Sequence, residues 1–351
     1  MAAIGESLEI TLDQVQAIID KHHPSKVTIS SFRPVKVDSF SALTPIQTYA
    51  VDLSDDTSYL FKTSYPPLAD LPTYTANTLE TENALSQLLS KHDDIPQLKV
   101  YAFDTTLATL PYHYLLLSYP KGITLAQAKS SGKLTDRQLL LLDLRIGSHL
   151  QKIHSEIQND WFGLPNQEKD ELYSWQEAFT LLLEELLCEA QESGLGEDGE
   201  DNVPFEEIRK YLSRAIGFFL FDDCEVPSLI SFLGSDESII VDFDPEDGTP
   251  NDEIPITSLV SLSHALWGDP LLETLFLEPS KALLEGYGEN LMVFARQKTK
   301  RTWYTLFLAL VVIIQTRRDS VASEVELVDK MKWARETLRK CVKDLKDEPY
   351  Y

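Results

Sequence analysis

Gln47-Thr-Tyr-Ala-Val-Asp-Leu53, Ser54-Asp-Asp56 and Ser58-Tyr-Leu-Phe-Lys62 decide the first half of the fold. β-Branched and aromatic residues fill the two outer runs, and the polar Ser-Asp-Asp between them supplies turn chemistry. The stretch therefore predicts an antiparallel hairpin ending at Lys62. Upstream, Val27-Thr-Ile-Ser-Ser31 reads as a further strand, and Leu12 to Lys21 as a helix capped by Thr11. Downstream, Thr81 to Lys91 places Leu85, Leu88 and Leu89 on one helical face. Leu98–Phe103 and His113–Ser118 add two strands. Five strands with one helix inserted after the third form a small α+β domain, closed by a Pro- and Gly-marked linker at Ser118-Tyr-Pro-Lys-Gly122.

Beyond Gly122 apolar residues recur mainly at helical spacing: Arg137–Ile153, Ser174–Gln191, Phe205–Phe221, Leu291–Gln315 and Ser323–Asp347. Leu229-Ile-Ser-Phe-Leu233 and Ile239-Ile-Val-Asp-Phe243 read as a strand pair inside this helical half. Glu192–Asn202, rich in Gly, Asp and Glu, reads as a surface loop. The expected division is a helical extension over 1–24, a small β-rich lobe over 25–119 and a large helical lobe over 120–351.

The chain of 351 residues has 31 Lys and Arg against 56 Asp and Glu, a net charge of -25. Such a balance opposes a nucleic-acid partner, because phosphate backbones are met by Lys and Arg. Three cysteines without CxxC spacing predict neither a disulfide framework nor a zinc site. Trp303 to Ile314, the longest apolar run, is too short for a membrane span. The first residues lack the basic start and apolar stretch of a secretory signal, so the cytoplasm is the expected location. No Gly-x-Ser-x-Gly, His-Glu-x-x-His, dinucleotide-binding or P-loop signature is present.

Gly147-Ser-His-Leu-Gln-Lys-Ile-His154, Asp160-Trp-Phe-Gly163, Ser263-His-Ala-Leu-Trp-Gly-Asp-Pro-Leu-Leu-Glu273 and Arg301-Thr-Trp-Tyr-Thr-Leu-Phe-Leu-Ala-Leu-Val-Val312 occur in that order. Together they resemble the aminoglycoside phosphotransferase family, in its fungal type, which shares the choline-kinase and protein-kinase-like fold. The resemblance covers the chain from about Val27 onward. It implies a bilobal α+β architecture with an antiparallel-sheet small lobe, Lys62 as the lysine that contacts nucleotide phosphates, and Glu82 as its ion-pair partner. It also fixes a register. The family's metal aspartate, eight residues before the Asp of Gly-Asp-Pro, falls on Ser261. Its catalytic-loop His, Asp and metal-binding Asn fall on Ser231, Leu233 and Ser238. Asp242-Phe-Asp244 offers a rival metal motif, but it lies far upstream of Gly-Asp-Pro and no His-x-Asp precedes it at the right distance.

Phosphoryl transfer rests on positioning and charge stabilisation, with Mg²⁺ bridging the phosphates and an Asp orienting the acceptor hydroxyl. Leucine does neither, and serine is a poor ligand for a hard dication. Ser39-Phe-Ser-Ala-Leu-Thr-Pro-Ile-Gln47, where the phosphate-covering loop belongs, has no glycine. The expectation is a degenerate phosphotransferase-like protein with no cofactor and no metal, holding a small organic molecule in the inter-lobe cleft. Non-phosphoryl chemistry (isomerisation, cyclisation or dehydration) in specialised metabolism then fits, with Lys62, Glu82 and His264 as acid–base candidates. The bland readings are a structural Lys62–Glu82 pair, a structural His264 beside Trp267, and a packing His154. Two alternatives stay open: a non-enzymatic pseudokinase acting through protein partners, and a weak phosphotransferase with unusual ligands.

Overall fold

The computed structural model describes residues 9–35, 40, 46–65, 76–166, 172–195, 203–243, 253–288, 291–318 and 324–348. Most of the glycine-free stretch Ser39–Gln47, the greater part of the expected loop Glu192–Asn202, and Asp244 lie outside the described residues. Contacts divide the chain into two compact units.

The first unit takes in the described residues of Met1–Leu71, Ala76–Gln138 and Asp236–Ser263. It thus includes residues on both sides of the expected boundaries at 24 and 119. Its helix α1 (Leu12–His22) starts at a reciprocal cap in which the Thr11 side chain accepts from Gln14 N and the Gln14 side chain accepts from Thr11 N. Strands β1 (Ile29–Pro34), β2 (Gln47–Leu53) and β3 (Ser58–Ser64), helix α2 (Leu79–Leu89), and strands β4 (Val100–Asp104) and β5 (His113–Ser118) follow. They form a five-stranded antiparallel sheet in the order β1-β2-β3-β5-β4.

Alternation sorts the side chains of β3 between the two faces of the sheet. Tyr59 and Phe61 join Val15, Ile18 and Ile19 of α1 in one core. On the other face Leu60 packs with Leu115, Leu117 and Leu79 of α2. Lys62 shares the parity of Leu60 and so belongs to the α2 face, between Thr48 and Leu115 of the neighbouring strands.

After β5 the chain enters the short strand β6 (Ile123–Thr124) and helix α3 (Leu125–Ser130). Much later it returns as Ile240–Val241 and Ile256–Ser258, which complete a three-stranded sheet with β6. Gly122 has φ +116, and a Cβ there would stand 2.0 Å from the Val241 carbonyl oxygen. Only glycine lets the two backbones approach so closely.

The second unit takes in Leu139–Ser235 and His264–Tyr351. It is built from most of α4 (Asp136–Glu156) and from α5 (Trp175–Glu192), α6 (Phe205–Gly217), α7 (Lys281–Tyr287), α8 (Ala295–Arg318) and α9 (Glu324–Lys346). Two expectations are corrected. The strands near 229 and 239 do not pair with each other: Ser228–Ile230 pairs with Leu266–Gly268 in this unit, whereas Ile240–Val241 belongs to the sheet of the first. Helix α6 ends at Gly217 rather than Phe221, because the chain turns at Phe219, whose φ is +53. Among the described residues no helix is long and apolar enough to cross a membrane.

Candidate functional site

In α2, Leu79, Glu82, Ser86 and Leu89 share the buried helical face, so a carboxylate and a hydroxyl interrupt an otherwise apolar stripe turned towards the sheet. That stripe faces Lys62. Lys62 Nζ donates to Glu82 Oε2 at 2.6 Å, and the side chains are 15% and 2% exposed. The other oxygen, Glu82 Oε1, accepts from Ser263 Oγ at 2.9 Å. Asn77 holds the returning segment beside the start of α2: its Nδ2 donates to Leu262 O at 2.8 Å and its N to Ser263 O at 2.6 Å.

These groups border a cavity of about 340 Å³ that lies wholly within the first unit. Leu60, Lys62 and Leu117 of the sheet line it, with Glu82, Ser86 and Leu89 of α2, the Tyr119–Thr124 segment, and parts of 237–240 and 258–263. Its volume lies in the range of small-molecule sites, and its composition of aliphatic walls with a few polar groups matches theirs. Ser238 and Ser261 both line it. The far wall is fixed at several points. Leu125 N donates to Ile239 O at 2.8 Å, Thr124 Oγ1 to Glu237 at 3.1 Å, and Lys129 Nζ to Asp236 at 2.7 Å.

The polar inventory is unequal. Both oxygens of Glu82 are occupied, whereas Lys62 uses one of three N–H donors on Glu82. Its other two meet no acceptor among the described residues, and neither does the Ser261 hydroxyl. A hard dication needs several carboxylate, amide or carbonyl oxygens. The serines at 238 and 261 do not fit that requirement, and Glu82 is committed to Lys62 and Ser263. Among the described residues no group of three or more His, Cys, Asp or Glu is placed to hold a metal ion.

The remaining sequence candidates lie in the second unit. Ser231 donates its backbone N and its Oγ to the fully buried Glu273 at 3.0 and 2.8 Å. Leu233 is buried, and both it and Phe232 have positive φ, +58 and +32. The backbone there is strained although no acid is present to use it. His264 is buried, does not line the cavity, and burial brings its pKa down to about 4. His154 packs as expected, its Nδ1 3.0 Å from Tyr287 Oη.

Sequence reasoning passed over one residue in each unit, Ser263 in the first and Lys300 in the second. Ser263 was within a quoted motif, yet nothing in the pattern singled it out as the second partner of Glu82. Lys300 was missed although it bridges Asp269 and Asp223 at 2.6 Å each. Asp269 also accepts from Tyr304 Oη at 2.8 Å and Leu271 N at 2.9 Å. The basic cluster Arg296, Lys298, Lys300 and Arg301 opening a long helix with an apolar centre is the signal that was available.

No family model and no curated protein sequence matches the chain. Solved structures do. A protein assigned as a fructosamine-3-kinase from Haemophilus somnus matches with a TM-score of 0.61 at 13% identity, over 94% of this chain and 96% of that one. A protein assigned as an aminoglycoside phosphotransferase from Ralstonia eutropha matches with a TM-score of 0.61 at 10% identity, over 97% and 100%. The aminoglycoside phosphotransferase APH(4)-Ia, in a ternary complex with ADP and hygromycin B, matches with a TM-score of 0.54 at 16% identity, over 94% and 98%. The chain therefore has the fold of the aminoglycoside phosphotransferase and fructosamine-kinase-like proteins: a mixed α+β, kinase-like fold with an antiparallel N-terminal sheet.

Proposed function

We propose that this protein is a degenerate member of the phosphotransferase fold that holds a small organic molecule in the first-unit cavity and transfers no phosphate. One observation carries the reading. Ser238 and Ser261, the positions to which the sequence resemblance assigns metal ligands, line the same cavity as the Lys62–Glu82 pair. Hydroxyls thus stand where phosphate chemistry requires hard metal ligands. Leu233, at the position of the acceptor-orienting acid, cannot take a proton.

What remains can still handle protons. Lys62 is an ammonium donor facing a largely aliphatic cavity, and Glu82, held by Lys62 and Ser263, fixes its position. Such a donor suits isomerisation, cyclisation or dehydration, where charge develops on a substrate oxygen; a positioned acid of this kind contributes roughly 10²–10⁴-fold in rate. Acid–base work of this kind falls to Lys62 and Glu82 rather than to His264, which is outside the cavity lining.

The ternary complex of the similar APH(4)-Ia with ADP and hygromycin B makes nucleotide the competing occupant. The test is a melting measurement. A ligand at a hundred times its Kd stabilises a fold by about 2.7 kcal/mol. Millimolar ATP with Mg²⁺ is expected to leave the melting temperature unchanged. A clear upward shift that needs both components would overturn the proposal.

A further inference from the structure

We infer, resting on the reading just given, that the molecule held by the cavity is an uncharged lipophilic carbonyl compound. A ketone, lactone or ester places its carbonyl oxygen against Lys62 Nζ and the Ser261 hydroxyl. The argument is an accounting of donors, acceptors and charge. At the sheet end of the cavity Lys62 has two N–H bonds unspent among the described residues; the lining also holds the unspent Ser261 hydroxyl and one unmet acceptor, Gln97 Oε1. The nearest carboxylate, Glu82, has both oxygens occupied. An occupant must bring an acceptor oxygen to this end, because a buried ammonium with unmet donors is costly.

Charge then selects among acceptors. Lys62 is neutralised by Glu82, and Glu237 also lines the cavity, where it accepts from Thr124 Oγ1. Among the described lining residues two glutamates stand with one lysine, which disfavours a carboxylate or phosphate and leaves a neutral carbonyl as the matching acceptor. The rest of the wall, with Leu60, Leu89, Leu98, Leu117, Ile240 and Val260, asks for an apolar body.

Prodan, a dimethylaminonaphthalene bearing a propionyl ketone, tests this by fluorescence titration. Its companions are the same naphthalene without the propionyl group and the same naphthalene with a carboxylate in its place. The ketone is expected to bind best. Lys62→Met should weaken it roughly ten- to a hundredfold, the range of a hydrogen bond to a charged group. Ser261→Ala should weaken it severalfold, while the compound lacking the ketone binds both variants like the parent protein. The Ser261 side chain meets no partner among the described residues, so its variant decides the matter if Lys62→Met does not fold. Val260→Trp, which fills the cavity, should abolish binding of every probe. If Val260→Trp blocks the probes but the carboxylate or the plain naphthalene binds as well as the ketone, the carbonyl assignment falls and the cavity reading stands. If no probe binds, or Val260→Trp changes nothing, the cavity reading falls and takes the carbonyl assignment with it.

Discussion

At the scale of single residues, His264 shows how burial alone sets behaviour. Its imidazole sits within the second unit with 6% of its surface exposed, and desolvation holds its pKa at about 4 against an ordinary 6.5. Below pH 6.5 the unfolded chain takes up a proton at this site and the folded chain does not. The contribution to stability is therefore complete above pH 6.5 and is lost as the pH falls towards 4, by about 3 kcal/mol over the interval. Denaturant titrations at successive pH values are expected to show a shallower acid slope in His264→Gln than in the parent protein. Parallel slopes would show that this imidazole does not titrate as its burial dictates.

At the scale of elements, the close approach of α4 to α7 makes a sharper prediction. A Cβ on Gly147 would stand 2.1 Å from Leu283 O and 2.7 Å from Tyr287 N, both backbone atoms that cannot swing away. Gly147→Ala is expected to destabilise the protein by at least the ~1–3 kcal/mol typical of overpacking. Gly217, the last residue of α6, has open space around its missing Cβ, and Gly217→Ala should be neutral or slightly stabilising. Equal melting temperatures for the two variants would contradict this packing. The same glycine explains what the sequence could and could not disclose. Gly147 opens a motif legible as a resemblance, but its reason, a helix 136 residues further along the chain, is a tertiary fact. Strands long enough to carry a run of aromatic, β-branched or aliphatic residues, such as Gln47–Leu53 and His113–Ser118, were readable to the residue. The strands Ser228–Ile230 and Ile240–Val241 have too few residues for their period to name a partner, and each pairs with a segment remote in sequence. Of the cavity, Lys62 and Glu82 were legible because a strand and the helix after it set them facing each other. Ser263 reaches Glu82 only through the fold.

At the scale of the whole molecule, a net charge of -25 acts on every carboxylate at once. Self-repulsion of this size opposes compaction, and salt relieves it: the Debye length contracts from about 30 Å at 0.01 M to about 8 Å at 0.15 M. The melting temperature is expected to rise over that range, most steeply at the low end. A steady fall would mean that surface ion pairs outweigh the repulsion. The first unit has a further property, which concerns its assembly during synthesis. Its cavity is closed by a segment that the ribosome delivers late, since Glu82 waits 181 residues for the hydroxyl of Ser263. At roughly 5–20 residues per second, that wait is on the order of ten to forty seconds. Once Ser118 has been made the five-stranded sheet can exist, with Lys62 and Glu82 already on facing elements, but without the complete wall formed by 237–240 and 258–263. A nascent chain stopped between Ser118 and Ser263 carries the sheet and no complete receptacle, so occupancy of the site becomes a mark of a chain translated past Ser263.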